Sequence, residues 1–272
     1  MQVNATVLID NKDAEGLCSE WGLSFYVEYG GQRYLLDAGG SDKFLDNAAK
    51  MGIDLSDIDL AVLSHAHYDH SLGMEAFFRA NARAPFHISP NAAENCFGKA
   101  FIFHKYIGLP KGVMAKYPDR IVRRDGVYQP ADGVWIVPHS APVDSEVARK
   151  AHLFVRRGCR LVPDDFSHER SLVFETDRGL VIFNSCSHSG PEAIIEEVRS
   201  AVPGRAIAAY IGGLHLFRMS PDEVRALAVR FAGLGCFEIH TGHCTGDEAF
   251  NILKDVLGER VCQFHSGYKI TI

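Results

Sequence analysis

Four side chains that bind metals fall within six residues in the segment Ser64-His65-Ala66-His67-Tyr68-Asp69-His70. His65 and His67 are two residues apart, and alternate side chains of an extended chain share one face, so both imidazoles can reach one metal. Asp69 and His70 follow directly and suit a second cation beside the first. Zinc accepts this mixture of nitrogen and oxygen ligands, and so do iron and manganese. Two metals about 4 Å apart can share a hydroxide and hold the oxygens of an ester or phosphoester.

The elements before this segment favour a metal site over a polar surface turn with chance histidines. Ile58 to Leu63 is a short apolar run typical of a buried strand, and the four ligand types come directly after it. Ligands commonly lie at the ends of strands in α/β proteins.

The pattern His-x-His-x-Asp-His after an apolar strand resembles the signature of the metallo-β-lactamase superfamily. The resemblance extends over nearly the whole chain and implies an α/β fold, a four-layer αβ/βα sandwich with the site at one edge. Within the superfamily, the chain is similar to the group related to the dihydropterin-forming synthase of methanopterin biosynthesis. The segments that match this group are Val7-Leu8-Ile9-Asp10-Asn11, Leu36-Asp37-Ala38-Gly39, Pro163-Asp164-Asp165-Phe166, Cys186-Ser187-His188-Ser189-Gly190, Gly212-Gly213-Leu214-His215-Leu216 and Thr241-Gly242-His243-Cys244-Thr245-Gly246.

The resemblance implies further ligand histidines, each placed after a strand. His188 and His243 each follow a predicted strand and precede a predicted helix, with glycine nearby, so we assign both to the metals. His240 lies within a strand, where a buried structural histidine is the better interpretation. The predicted metal ligands are therefore His65, His67, Asp69, His70, His188 and His243.

One position departs from the superfamily pattern. The resemblance implies a bridging aspartate at the end of the predicted strand Leu180 to Asn184, but this chain has Asn184-Ser185-Cys186-Ser187-His188 there. Either Cys186 or His188 can take the vacated place. His168, just before another predicted strand, matches the position of a further ligand histidine, although the related group often has an acidic residue there. These three alternatives leave the metal stoichiometry open.

Asp69 and His215 are the predicted catalytic residues. Asp69 can orient or deprotonate a bridging water. His215 follows Gly212-Gly213-Leu214 and resembles the place where phosphodiesterases of the superfamily carry a histidine near the scissile phosphate, so we expect it to transfer a proton. The alternative for His215 is a structural role at the start of the next helix.

Other polar residues at strand ends have two interpretations. Asp37 and the pair Asp10-Asn11 can hydrogen-bond metal-bound imidazoles and fix their tautomer, or they can stabilise turns. Cys244 can be a thiolate ligand, but a small buried residue is the more frequent role for cysteine.

The predicted elements form one domain over residues 1–272. Strands and tight turns fill the first third, and strands alternate with helices from about residue 180 onward, which is typical of sheets flanked by helices. Residues 91–120 are predicted to be an irregular insertion over the active site. Its aromatic residues and lysines can stack a flat ring and hold a phosphate, or it can be a solvated loop packed on itself. The aromatic residues of this insertion are Phe97, Phe101, Phe103, Tyr106 and Tyr117.

The composition of the chain argues against several classes of protein. The net charge of −6 gives no help to nucleic-acid binding, and we expect none. No run approaches the roughly 20 apolar residues of a membrane span, and the first residues do not look like a signal peptide. Seven scattered cysteines, with no Cys-x-x-Cys pair, indicate a reducing compartment. We therefore expect a cytoplasmic protein without a membrane partner, and the sequence leaves its oligomeric state open.

The function predicted from these residues is that of a metal-dependent hydrolase with two divalent ions, zinc first and iron or manganese as alternatives. Its expected substrate is a phosphorylated or cyclic small molecule, and a dihydropterin synthase-like reaction is a variant of this prediction. One alternative is a diiron redox or oxygen-sensing protein, although its usual flavodoxin-like partner domain has no room in 272 residues. Another is a non-catalytic ligand-binding module of the same fold.

Overall fold

A computed structural model describes residues 1–100, 102–141, 145–235 and 238–272 of the chain. Within these ranges, two large sheets and a smaller third sheet form the framework. The strands of the first sheet, in spatial order, are β18 (Lys269–Thr271), β1 (Asn4–Ile9), β2 (Ser24–Tyr29), β3 (Gln32–Leu36), β4 (Leu60–Val62), β5 (Phe86–Ile88) and β8 (Ile121–Arg123). Those of the second sheet are β17 (Val261–Gln263), β16 (Glu238–Thr241), β15 (Ile207–Ile211), β14 (Gly179–Phe183), β13 (Arg170–Thr176), β10 (Val134–Pro138) and β9 (Tyr128–Ala131).

The third sheet and the helices complete the architecture. The strands of the third sheet are β12 (Arg160–Pro163), β11 (Leu153–Arg157), β6 (Cys96–Ala100) and β7 (Phe103–Tyr106). The α-helices are α1 (Lys43–Lys50), α2 (Tyr68–Ser71), α3 (Met74–Ala80), α4 (Val113–Lys116), α5 (Glu146–Ala151), α6 (Pro191–Ala201), α7 (Pro221–Gly233) and α8 (Asp247–Leu257).

Alternating side chains on the two large sheets create the layers. On β2, Phe25 and Val27 point into a core shared by both sheets, whereas Tyr26 belongs to a second core on the outer face with α1 and α3. On β13, Leu172 and Phe174 enter the shared core. The outer face of the second sheet packs against the buried sides of α6, α7 and α8. This order of helix, sheet, sheet and helix is the predicted four-layer αβ/βα sandwich, and the prediction of fold is confirmed.

The prediction that residues 91–120 are irregular is wrong. They contain β6, β7 and α4, and β6 pairs with β11 through Phe97 and Phe154, residues 57 positions apart. Strands that pair with residues so far away in the sequence need not show a regular pattern of apolar residues, so the sequence did not predict them. Phe101 of this segment and Phe237, the predicted first residue of β16, lie outside the described residues.

The carboxyl ends of several strands meet at one edge of the sandwich. β3 and β4 run parallel, and so do β14, β15 and β16, so the loops that follow them emerge together. β1 lies between β2 and β18, and the chain therefore begins and finishes in the same sheet. Among the described helices, none is both long and apolar enough to cross a membrane.

Candidate metal centre

The predicted ligands gather at the edge where these strands end. His65 and His67 follow β4, His188 follows β14, and His243 follows β16. The side chains of all four are buried. Residues up to 178 positions apart are thus brought together by the parallel order of the strands, as the sequence predicted.

His65, His67 and His188 form the first group of imidazoles. Their ring centroids are 4.6 Å, 4.9 Å and 4.8 Å apart, and each offers a ligand nitrogen within 4.8 Å of the others. The Nε2 atoms of all three are buried and have no hydrogen-bond partner among the described residues. Burial lowers the pKa of His67 to about 3 and holds the pKa values of His65 and His188 well below the ordinary range. Neutral imidazoles with free nitrogens are the form that binds a metal.

Asp69, His70 and His243 form the second group. Oδ2 of Asp69 lies 3.5 Å from Nε2 of His243 and 3.8 Å from Nε2 of His70. Burial would raise the pKa of Asp69, but His70 and His243 outweigh that effect and hold the pKa well below its usual range. Burial also lowers the pKa of His243, yet the hydrogen bond with Asp69 and nearby anionic groups raise it to about 9. The carboxylate and two imidazoles offer oxygen and nitrogen donors of the kind that zinc accepts.

Cys186 lies between the two groups. Its Sγ atom is 3.2 Å from Nε2 of His70, and it shares candidate ligand clusters with His65 and His70, with His188 and His215, and with His243 and Cys244. Sγ of Cys244 is 3.4 Å away from Sγ of Cys186. The thiol therefore lies within reach of candidate ligands from both groups.

His168 belongs to a further candidate cluster, which it forms with His67, Cys96 and Asp164. Its Nδ1 accepts the backbone N–H of Ala66 at 3.2 Å, and its Nε2 lies 3.1 Å from Oδ2 of Asp164 and 3.8 Å from Sγ of Cys96. Burial lowers its pKa, but Asp164 overcomes this and raises the pKa well above 6.5. Both ring nitrogens already have protein partners, in contrast to those of His188.

Buried carboxylates and amides orient the candidate ligands. Oδ2 of Asp37 lies 2.7 Å from Nδ1 of His70, and Oδ1 of Asn11 lies 2.9 Å from Nδ1 of His243. Each contact directs the opposite nitrogen, Nε2, toward the site, as expected for residues that fix a ligand's tautomer. Glu169, which the sequence reasoning missed, accepts the backbone N–H of His188 at 2.8 Å and thereby holds the loop after β14. The one sequence feature that could have identified Glu169 is its position next to His168, where the related group often has an acidic residue.

His215 lies beside the first group, with its ring centroid 4.2 Å from that of His188. Both of its ring nitrogens are buried without a hydrogen-bond partner among the described residues. Its φ of 51° is in the left-handed region, as are those of Asp37, Ser187 and His243. Such conformations cost free energy in residues other than glycine and concentrate at functional sites. The loop conformation thus places His215 against the candidate ligands.

Two glycines let the loops after β14, β15 and β16 pack together. A Cβ on Gly212, whose φ is 139°, would lie 1.7 Å from the carbonyl oxygen of Asn184. A Cβ on Gly213 would lie 2.5 Å from Sγ of Cys244. The space above these glycines is therefore filled by the protein itself.

Three aromatic residues of the insertion contact other residues of the protein, whereas Phe103 is exposed. Arg156 lies over the ring of Phe97 at 4.5 Å, the Tyr106 hydroxyl donates to the carbonyl oxygen of Leu109 at 2.6 Å, and Tyr117 packs on Phe78 at 4.5 Å.

Two aromatic residues from outside the insertion, Trp21 and Phe217, lie next to the candidate ligands. The ring centroid of Trp21 is 5.2 Å from that of His243 and 6.1 Å from that of Phe217. Sequence reasoning missed both, because each is a single aromatic residue in a loop.

The chain is similar in sequence to known proteins. The family model described as the metallo-beta-lactamase superfamily matches residues 22–150. A protein of Methanocaldococcus jannaschii named 7,8-dihydropterin-6-methyl-4-(beta-D-ribofuranosyl)-aminobenzene-5'-phosphate synthase is 26% identical over 267 residues, which cover 92% of this chain and 89% of that protein.

Solved structures share the same architecture. A crystal structure described as a metal-dependent hydrolase of the beta-lactamase superfamily is 27% identical, covers 98% of each chain and has a TM-score of 0.84. A diphosphatase of the PhnP family is 17% identical, covers 100% of this chain and 98% of its own, and shares the fold with a TM-score of 0.56. By its motif, its layered sheets and these relatives, the chain is similar to the metallo-β-lactamase superfamily, and it has the metallo-β-lactamase fold.

Proposed function

We propose that the protein is a hydrolase that uses two divalent metal ions to cleave an ester in a phosphorylated or cyclic small molecule. The observation that carries this proposal is the set of free Nε2 atoms on His65, His67 and His188, all buried at one point. A buried polar atom without a partner costs free energy, which coordination to a cation removes. The donor set therefore fits the metal that the superfamily implies.

The two groups of side chains define two proposed sites. His65, His67 and His188 hold one ion, and Asp69, His70 and His243 hold the other. Cys186 takes the place of the missing aspartate between them, in preference to His188 or His168. Zinc is the first choice because it accepts thiolate, imidazole and carboxylate ligands together, and iron and manganese are the alternatives.

The chemistry follows from the residues around the ions. When bound, two divalent cations lower the pKa of a water and neutralise charge that develops on the ester oxygens. Oδ2 of Asp69 orients that water and accepts its proton. A ring nitrogen of His215 donates a proton to the leaving oxygen. Asp37 and Asn11 keep His70 and His243 in the tautomer that leaves Nε2 free.

The proposed substrate class rests on the Methanocaldococcus jannaschii relative, whose match covers 92% of this chain. The name of that relative describes a ribofuranosyl 5'-phosphate, a small molecule that carries both a sugar phosphate and flat rings. A synthase reaction of the kind in that name is the second candidate function. It predicts that the metal-loaded protein forms the named compound, whereas the first candidate predicts hydrolysis.

Metal analysis followed by an activity screen tests the proposal. Protein purified without added metal is analysed for zinc, iron and manganese, reloaded with each, and tested on phosphodiesters, phosphomonoesters, lactones and thioesters. We expect up to two ions per chain and turnover of a phosphorylated or cyclic ester. The double variant His65→Ala, His67→Ala should lose at least one ion, while His104→Ala, an exposed histidine on β7, should keep both. Full metal content in the double variant would overturn the proposal.

We also propose a cytoplasmic location. The six cysteines in the described part of the chain are all free thiols, including the closely spaced Cys186 and Cys244. Free thiols persist in a reducing compartment. Immunoblots of fractionated cells would test this, and recovery of the protein outside the cytoplasm would contradict it.

A further inference from the structure

A cavity of about 320 Å³ opens beside His243, on the outer side of the second group of candidate ligands. Trp21 and Phe217 form its walls, and Lys12 and Gln263 lie on its lining. We call it the aromatic cavity. Because His243 is part of its lining, a molecule that fills the cavity lies directly against the proposed metal centre.

The two aromatic walls are unusually open to solvent. Trp21 is 47% exposed and Phe217 is 46% exposed, whereas most large apolar side chains in the described part of the chain are buried. Their rings are nearly perpendicular, with an interplanar angle of 81°, and the Trp21 ring also lies against that of His243. The two rings touch one another edge to face, and their exposed surfaces can bind a flat ring by stacking on one of them and by an edge contact with the other.

Lys12 and Asp247, two oppositely charged residues of the aromatic cavity, form an ion pair. Nζ of Lys12 lies 2.5 Å from Oδ1 of Asp247 and 3.0 Å from Oε1 of Gln263. Lys12 and Asp247 are the charged side chains of the described lining besides His243, and they pair with one another. An anionic group therefore gains little there, while an uncharged ring loses little solvation and covers the two exposed aromatic faces.

From these contacts we infer that the aromatic cavity binds an uncharged planar ring of the substrate, against the exposed surfaces of Trp21 and Phe217. The anionic or ester part of the same molecule then extends past His243 toward Asp69 and His215. This inference rests on the proposed function and adds the class of substrate: a ring-bearing ester in place of an aliphatic one. Trp21 and Phe217 are specificity-determining residues that contact the ring and leave the reacting bond to other groups.

Matched inhibitors test the inference. Phenyl phosphate and ethyl phosphate carry the same phosphate, but only the first carries a flat ring. We expect zinc-loaded protein to bind phenyl phosphate more tightly, and Trp21→Ala and Phe217→Ala each to weaken that binding about three- to tenfold, the usual effect of one aromatic contact. Binding of ethyl phosphate should change less than twofold. Val229→Ala, which alters an exposed apolar residue on α7, is the control and should change neither.

Tryptophan fluorescence gives a readout that does not depend on turnover. The chain has two tryptophans, and Trp135 donates a hydrogen bond to Glu175 on the second sheet. The variant Trp135→Phe leaves Trp21 as the one tryptophan. Phenyl phosphate should quench its emission, and ethyl phosphate should not. The zinc content of every variant is measured, because Trp21 touches the candidate ligand His243.

The outcomes separate the inference from the proposed function. Ester hydrolysis that is unaffected by Trp21→Ala, with no difference in binding between the two phosphates, would overturn the inference and leave the hydrolase. No hydrolysis of any ester, combined with quenching of Trp21 by phenyl phosphate alone, would overturn the hydrolase and leave the ring site. Equal quenching by both phosphates would also overturn the inference.

Discussion

The Nδ1 atom of His70 lies 2.7 Å from Oδ2 of Asp37, and both side chains are completely buried. The same carboxylate accepts the backbone N–H of Ser64 at 2.7 Å and its hydroxyl at 2.6 Å. The Ser64 hydroxyl in turn lies 2.8 Å from Nδ1 of His65. One carboxylate at the end of β3 therefore positions candidate ligands of both proposed ions.

Replacement of that carboxylate should weaken metal binding. In Asp37→Asn, the amide nitrogen cannot accept the hydrogen bonds that Oδ2 accepts, so His70 loses its fixed orientation. Loss of such a partner typically costs 10- to 100-fold in metal affinity. Competition with a zinc chelator measures the change, and Asp119→Asn, an exposed aspartate, is the control. Equal chelator sensitivity of the two variants would count against this role of Asp37.

Asp69→Asn should damage chemistry more than folding. The amide keeps the shape of the side chain but accepts a proton poorly, so kcat on the best ester should fall by about 10²–10⁴. Circular dichroism of the metal-free variant should match that of the parent. Unchanged kcat with full zinc content would exclude Asp69 from the hydrolytic step.

His215→Ala should separate proton transfer from metal binding. The ring centroid of His215 lies 4.2 Å from that of His188, so His215 is close enough either to transfer a proton or to bind a metal. We expect kcat to fall by about 10²–10⁴ while the zinc content stays the same. If zinc is lost as well, His215 is a ligand, and if neither quantity changes, its role is structural.

Cobalt substitution should reveal the thiolate of Cys186. A cysteine ligand gives Co²⁺ a thiolate-to-metal charge-transfer absorption in the near ultraviolet, and Cys186→Ser should abolish it. Cys18→Ser changes a cysteine whose backbone N–H is bonded to Asn47, and it should leave the band intact. A band that persists in Cys186→Ser and disappears in Cys244→Ser would transfer the ligand role to the neighbouring thiol.

His87 should make the fold sensitive to acid. Burial, followed by the charges of Arg170 and Arg124, lowers the pKa of His87 to about 4, whereas the unfolded chain has an ordinary value of about 6.5. Between about pH 4 and pH 6.5, His87 is therefore protonated in the unfolded chain and neutral in the folded protein. The stability that neutral His87 provides is therefore complete above about pH 6.5 and is lost as the pH falls toward 4.

Urea unfolding at pH 7 and pH 5 measures this effect. The loss of unfolding free energy between the two pH values should be about 2 kcal/mol smaller in His87→Gln than in the parent protein. The exposed His104→Gln should behave like the parent. Identical losses in all three proteins would show that His87 does not titrate as described.

Much of the fold and of the candidate site could be predicted because both leave local signals. Apolar runs such as β4 and β14 identify strands, and the polar residues directly after them face the common edge. His65, His67, His188 and His243 were all placed in this way, and they do lie together. Their roles as ligands stay a prediction.

Contacts between residues far apart in the sequence could not be predicted, because no local pattern of residues marks them. β6 and β7 pair in a sheet with β11, and the extended backbone of β6 depends on that partner more than on its own residues. Glu169 acts through the backbone N–H of His188, a contact that no spacing predicts. Trp21 and Phe217 meet only after folding, since 195 residues separate them. Which of Cys186, His188 and His168 approaches His70 likewise depends on how three loops pack.

The pairing of β1 with β18 sets the order in which the molecule can be completed during synthesis. The first sheet lacks its edge strand β18 until residue 271 has been made, and Asn11, directly after β1, has no His243 to orient until residue 243 has been made. At about 5–20 residues per second, the ribosome needs on the order of ten seconds or more to pass from His65 to His243. During that interval His65 and His67 lack the partners His188 and His243, so the proposed metal centre assembles after translation has passed β16. Nascent chains released before that point should retain less zinc than the finished protein.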